Sequence, residues 1–168
     1  MRASLFFGLL SLLLLSGCAN YQLGTGGKVT FRTLYVAPVV NESNLPQAVA
    51  IVSTQLREAF LHDPRIILVN SPEEADATLT VRLLKYGRIG KTGRRDDTGL
   101  SRNFDVTLEA EASLRDNRDN RFLFENRKAA ATRETFGDSG QLQAEFNNVP
   151  LLGEILAKNI RSATLDTW

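Results

Sequence analysis

The chain has 168 residues, with 20 Lys+Arg against 19 Asp+Glu, one Cys and one His. That length holds one domain, or a smaller one behind a processed segment, and a hydrophobic fraction of 43% is that of a globular protein rather than a polytopic membrane protein. Balanced charge leaves no electrostatic footprint for nucleic acid, one Cys excludes an internal disulfide or a Cys-based zinc cluster, and one His leaves little for a His-rich metal site or a Ser-His-Asp triad. Composition alone thus weighs against the common hydrolytic enzyme classes, and no catalytic residue, metal or dissociable cofactor is expected.

The N-terminus begins Met1-Arg2 and continues into an apolar run from Leu5 to Leu15. That is about half of the roughly 20 residues a bilayer span needs, and a charged start, a short apolar stretch and small residues before a break define a secretory signal. Leu15-Ser16-Gly17-Cys18 resembles the lipobox of bacterial lipoproteins. The resemblance implies cleavage before Cys18 and acylation of the new N-terminus, and Ala19, in place of Asp, implies sorting to the outer membrane. Two or three acyl chains hold a protein firmly, at about 0.8 kcal/mol per buried CH₂. The expected organisation is a signal peptide at 1–17, a lipidated tether at 18–27 and one folded domain at 28–168. Removing 1–17 takes Arg2 with it and leaves equal numbers of basic and acidic residues.

Within the domain, Thr33 to Val40 reads as a first strand, continuously apolar at Leu34-Tyr35-Val36-Ala37, as a strand covered on both faces is. Asn41-Glu42-Ser43-Asn44 is a loop, and Pro46 suits the first turn of a helix running to about His62. Leu45, Val49, Val52, Leu56 and Phe60 make its apolar face. His62 in the last turn reads as a dipole-favoured terminal residue. Ile66-Ile67-Leu68-Val69 is a short buried strand, so strand, helix and strand suggest a parallel crossover. Ser71-Pro72-Glu73-Glu74 starts one helical turn. Ala77, Leu79, Val81 and Leu83 then alternate with Thr78, Thr80 and Arg82, and the phase slips to Leu84 and Tyr86, which predicts a β-bulge.

The strand with the strictest alternation follows. Phe104, Val106, Leu108, Ala110, Ala112 and Leu114 face one way, and Asp105, Thr107, Glu109, Glu111, Ser113 and Arg115 the other, as in an antiparallel sheet with one face in the core. Asp116 to Asn120 is a tight turn, and Phe122 to about Phe136 returns as the partner strand. Pro150 to about Thr164 is the last helix, with Leu152, Ile155, Leu156, Ile160 and Ala163 as its stripe. The predicted order β-α-β-β-β-β-α gives an α+β two-layer sandwich, two helices on one face of a mixed four- to five-stranded sheet. The bare face of the sheet is free for a partner or ligand.

Lys91, Arg94 and Arg95 cluster in one polar connection, and Arg115, Arg118 and Arg121 around one turn. Both are candidate contacts for phosphate-bearing ligands, because guanidinium pairs with phosphate through bidentate hydrogen bonds. Gly90-Lys91-Thr92-Gly93 is not a phosphate loop, since a strand and not a helix follows. Glu109 and Glu111, two apart on one strand face, are the only carboxylate pair that suggests acid–base work, and alternating charge on such a face is ordinarily solvated.

Several segments together resemble the LptE family of lipoproteins: Cys18-Ala19-Asn20-Tyr21-Gln22-Leu23, Val36-Ala37-Pro38-Val39-Val40-Asn41-Glu42-Ser43, Leu56-Arg57-Glu58-Ala59-Phe60, Asp63-Pro64-Arg65 and Glu74-Ala75-Asp76-Ala77-Thr78-Leu79. Tyr86-Gly87-Arg88, Val106 to Asp116 and Leu156 to Leu165 complete the match. Each piece is short, and the specificity lies in their order. The resemblance implies the same sandwich, an LptD-type outer-membrane β-barrel as the partner that the chain plugs, lipopolysaccharide as ligand, and no covalent chemistry. The only attached group implied is the covalent lipid at Cys18. The alternative is a lipoprotein of the LpoB or CsgG kind, which activates a cell-wall synthase or forms part of a secretion pore.

Overall fold

A computed structural model describes residues 29–91, 103–136 and 141–166. Strands β1 (Thr33–Val36) and β2 (Val40–Asn41) precede helix α1 (Ala48–Leu61). Then come β3 (Ile67–Val69), a 3₁₀ turn at Pro72–Glu74, β4 (Ala77–Lys91), β5 (Asn103–Asp116), β6 (Arg121–Phe136) and helix α2 (Gln141–Leu165). The strands form one six-stranded sheet in the order β3-β1-β4-β5-β6, with β2 against β4 farther along. β1 is parallel to β3 and to β4, β2 is parallel to β4, and β4-β5-β6 is an antiparallel meander. Both helices supply apolar side chains to the core on one sheet face. This is the two-layer α+β sandwich expected, with six strands in place of four or five.

The extra strand comes from a division in the first one. β1 pairs with β4 at Leu79, and β2 rejoins it at Arg82 and Leu83. Pro38 between them has no N–H to give a ladder, so the chain is held on either side of it by Ala37 N–H to Leu79 O (2.9 Å) and Glu42 N–H to Leu83 O (2.8 Å). The Asn41 carbonyl oxygen of the side chain then accepts from Ser43 N–H (2.9 Å) and turns the chain toward α1.

α1 buries Ala48, Val52, Leu56 and Phe60, with Leu45 just ahead of it, as the spacing predicted, while Val49 packs half-buried at the margin. α2 departs from expectation at its start. Pro150 lies inside it, and the helix begins at Gln141. A proline removes one backbone donor from a helix, and here the element continues through it. Leu152, Leu156 and Ile160 form the stripe, joined by Val149, Ala157 and Leu165.

β5 is the middle of the meander, and its alternation is as read: Val106, Leu108, Ala110, Ala112 and Leu114 are buried. The slip predicted in the preceding strand is a register shift between Leu83 and Lys85, which keeps Tyr86 opposite Leu108 on the core side. β6 carries two further irregularities, opposite Ala112–Leu114 and Leu114–Arg115, next to Asn126 with φ of 50°. The left-handed conformation is one Asn tolerates better than most residues, and Asn126 N–H is held by Ser113 Oγ at 2.9 Å.

At the end of the sandwich where α1 and α2 both finish, Asp63 is buried and accepts two bonds from the Arg65 guanidinium (2.9 and 2.7 Å). Arg65 also reaches Asp166 (2.8 Å), which ties the turn after α1 to the residue that follows α2. The hydrogen bond from Arg65 holds the Asp63 carboxyl below its ordinary range.

The helices meet at Gly153, where an added Cβ would lie 2.8 Å from Ile51 Cγ2. Ile is stiff in a helix, so the clash has little room to relax. Gly153→Ala is expected to cost about 1–3 kcal/mol of overpacking, more than the roughly 1 kcal/mol of helix propensity it gains, and urea unfolding measures the net loss. In an Ile51→Ala background the same change should be neutral or stabilising.

Candidate functional site

The sheet has two ends and one open face. Lys91 closes β4 at one end, opposite Asn103, while Asp116 pairs with Arg121 at the other. Lys91, from the first basic cluster, and the turn that carries the second therefore lie at opposite ends of a fifteen-residue strand, about 46 Å apart at the usual rise. The side chain of Lys91 and all of Arg94 and Arg95 lie outside the described residues, as does Cys18.

Around the turn at 117–120 the geometry is well defined. Asp116 is buried and accepts from Arg118 Nε (3.1 Å), Nη2 (2.6 Å) and N–H (2.9 Å). These bonds, the side-chain one foremost, pull the Asp116 carboxyl down to about 2 and raise the Arg118 guanidinium. Arg118 also gives Nη2–H to Thr30 O (3.1 Å). It is thus a structural brace, whereas Arg115 and Arg121 are exposed and make no ion pair among the described residues.

Two residues that sequence reasoning passed over complete this end. Asn117 donates from Nδ2 to Pro72 O (3.1 Å) and Ala75 O (2.9 Å), accepts from Thr78 Oγ1 (3.0 Å), and gives its N–H to Asp76 O (2.8 Å). Asp76 accepts the N–H groups of Arg32 (2.8 Å) and Thr33 (3.0 Å), which hold its carboxyl below the ordinary range. An Asp just ahead of a strand and an Asn leading a turn are the signals that were available. A cleft of about 460 Å³ opens here, lined among others by Val29, Arg32, Arg65, Asp76 and Arg118.

The open face is polar with two apolar flanks. Arg82 pairs with Glu111 and, at 3.5 Å, with Glu42. Val40 and Phe122, each 48% exposed, stand on either side of a depression of about 300 Å³ that also takes in Thr80, Ser113 and Asn126. Glu111 is engaged by Arg82 and Glu109 is exposed outside the depression, so the two carboxylates do not converge on a pocket. His62 caps α1, with Nδ1 2.8 Å from Glu58 O, as expected of a terminal residue. Among the described residues no group of three or more His, Cys, Asp or Glu is placed to hold a metal ion.

A sandwich of two helices on one face of a mixed sheet is the class of protein this geometry defines, and it recurs in solved structures. Protein XCC0632 from Xanthomonas campestris superposes with a TM-score of 0.57 at 14% identity, covering 84% of this chain and 88% of that one. The hypothetical protein CT253 from Chlamydia trachomatis gives 0.55 at 12%, covering 79% and 94%. Lipoprotein B from Nitrosomonas europaea gives 0.48 at 20%, covering 80% of each. No curated protein matches the sequence. The family model of LptE, lipopolysaccharide-assembly, matches residues 31–163, from the first buried side chain of the domain to the last turn of α2. The chain belongs to the LptE family.

The depressed carboxylates give this end an acid dependence. A folded pKa below the unfolded one adds stability above the unfolded value and loses it as pH falls through the folded value. Stability should therefore fall between about pH 4 and about pH 2, with Asp116 as a main contributor. Asp116→Asn should be less stable at neutral pH and lose less over that interval in acid-titrated urea unfolding.

Proposed function

We propose that this chain is a lipoprotein acylated at Cys18 and held at the outer membrane, where it binds and plugs a β-barrel of the LptD type and assists lipopolysaccharide assembly without catalysing a reaction. The observation that carries the reading is the family match, which spans both layers of the sandwich. The arrangement is in keeping with a binding role: the carboxylate pair is divided between an ion pair and solvent, while an open polar face with exposed Val40 and Phe122 is free for a partner. Lipopolysaccharide phosphates would be met by Lys91, Arg94 and Arg95. Arg118 is committed to Asp116, so of the second cluster Arg115 and Arg121 are available.

Affinity purification of the full chain from outer membranes tests the reading. A large β-barrel protein should be recovered with it, and recovery of a cell-wall synthase in its place would favour the LpoB-like alternative and overturn this one. Cys18→Ala should yield uncleaved or mislocalised chain on fractionation; a normally processed, membrane-bound product would remove the lipoprotein reading. Joint replacement of Lys91, Arg94 and Arg95 by Ser should weaken lipopolysaccharide binding by about tenfold or more, since a charge-assisted hydrogen bond contributes about 1.5–3 kcal/mol.

A further inference from the structure

β4 is covered along its whole length on one side and along only part of it on the other. β5 pairs with it from Ala77 to Lys91. On the opposite side β1 covers Ala77 to Leu79, β2 covers Arg82 and Leu83, and among the described residues no strand follows. Leu79 and Leu83 turn their carbonyls to that side, where they accept from Ala37 N–H and Glu42 N–H. Both stand opposite buried residues of β5, Leu114 and Ala110. Beyond the irregularity Tyr86, Arg88 and Gly90 stand opposite Leu108, Val106 and Phe104, in the same phase. Backbone groups along a strand alternate between its two sides, so Gly90 directs its N–H and C=O away from β5. The stretch from Leu84 to Lys91 holds no proline and is long enough for one more strand. A strand added there would extend the row that β1 and β2 begin.

We infer that the margin of β4 from Leu84 to Lys91 takes an extended, acidic segment of another protein as an added strand. In such pairing main-chain hydrogen bonds supply affinity and alternate side chains supply the choice of partner. Here charge makes the choice. The stretch carries Lys85, Arg88 and Lys91 and no acidic residue. Lys85 is exposed on the open face, opposite Glu109, and Ile89, 72% exposed, follows it on that face as an apolar contact for an incoming strand. Arg88 lies on the covered side, over the Phe104 ring at 4.9 Å. Opposite charges directly across a ladder stabilise it and like charges destabilise it, so Asp or Glu on either face of an incoming strand meets a cation. Asp105 and Glu109 lie one strand farther away, on β5. A second copy is a poorer occupant, because antiparallel pairing about Arg88 sets that residue against itself and a shift of register brings Lys85 toward it. Any protein that presents such a segment qualifies, so this surface does not depend on the barrel partner proposed above.

The test uses the full chain in detergent and a short peptide of alternating Glu and Val, blocked at both ends. Hydrogen exchange of the Gly90 amide, followed by nuclear magnetic resonance, should be fast in the chain alone and slow about tenfold or more with the peptide in excess. By fluorescence anisotropy the labelled peptide should bind about tenfold more tightly than one with Lys in place of each Glu. Gly90→Pro removes the donor and should weaken binding about tenfold, with circular dichroism unchanged. Lys85→Glu should weaken the acidic peptide severalfold and strengthen the Lys peptide, and it carries the test if the proline variant unfolds. Slow exchange at Gly90 in the monomeric chain alone means that the chain covers this margin itself and overturns the proposal. Slow exchange that appears only with dimer formation in sedimentation gives the place to a second copy and overturns it as well. Equal binding of the two peptides overturns the acidic partner, and undiminished binding in the folded variants overturns the β4 margin as the site.

Discussion

A single sheet face carries the apolar core, and two helices cover it. Every register decision follows from that. A one-residue slip in β5 would turn Val106, Leu108, Ala110, Ala112 and Leu114 out to solvent and bring Glu109 and Glu111 inside, at a cost no compensating contact could offset. The irregularity at Leu84 restores the phase of β4 after Leu83, so that Tyr86 returns to the covered side. The sheet also presents a floor of small residues, with Ala110 opposite Ala129 and Leu108 opposite Ala131. α2 lies near enough to β6 for Asn159 Nδ2 to reach Ala130 O at 2.8 Å. Gly153 plays the same part between the helices. Small side chains thus stand on the covered face of the sheet and, at Gly153, where the two helices meet.

Such a frame leaves its chemistry at the ends and on the open face. The end near Val29 is built from hydrogen bonds between segments far apart in the chain: the chain ahead of β1, the connection into β4 and the β5–β6 turn all meet at Asp76, Asn117 and Arg118. Carboxylates there are satisfied by N–H groups and guanidinium, which makes the end rigid and leaves other arginines uncommitted. The open face has a different character, with ion pairs at its centre and apolar side chains at its margins. A scaffold of this kind can serve many partners, and membership of the LptE family is what narrows the choice.

The parts of this arrangement that were legible in the sequence are those governed by a local period. The twofold alternation of β5, the stripe of α1 and the phase slip in β4 all arise from side chains that face one layer, and one-dimensional spacing reports that directly. The division of the first strand at Pro38 was half visible, since the loss of pairing was readable but its resumption at Val40 depends on β4. Spacing alone misplaces the start of α2, because Pro150 suits a helix opening by its fixed φ and missing donor, whereas here it lies within the helix. Asp76 and Asn117 could not be joined from sequence, because the residues they hold lie about forty positions away. The basic clusters were found by composition, but that Arg118 is a brace and Arg115 and Arg121 are not required the geometry of the turn.

The outer edge of the sheet has one more consequence. β6 is sixteen residues long, and an uncovered edge of that length is a template on which another chain can add a strand. Its two register irregularities break the even ladder such addition needs. Asn159 occupies the carbonyl of Ala130, and exposed Lys128 on the same strand penalises an incoming backbone. At the opposite edge β3 offers only three residues. The β6 margin is therefore guarded against self-templated growth, whereas on the other side no strand of the described residues pairs with β4 beyond Leu83, so an added strand would find its unbroken ladder there.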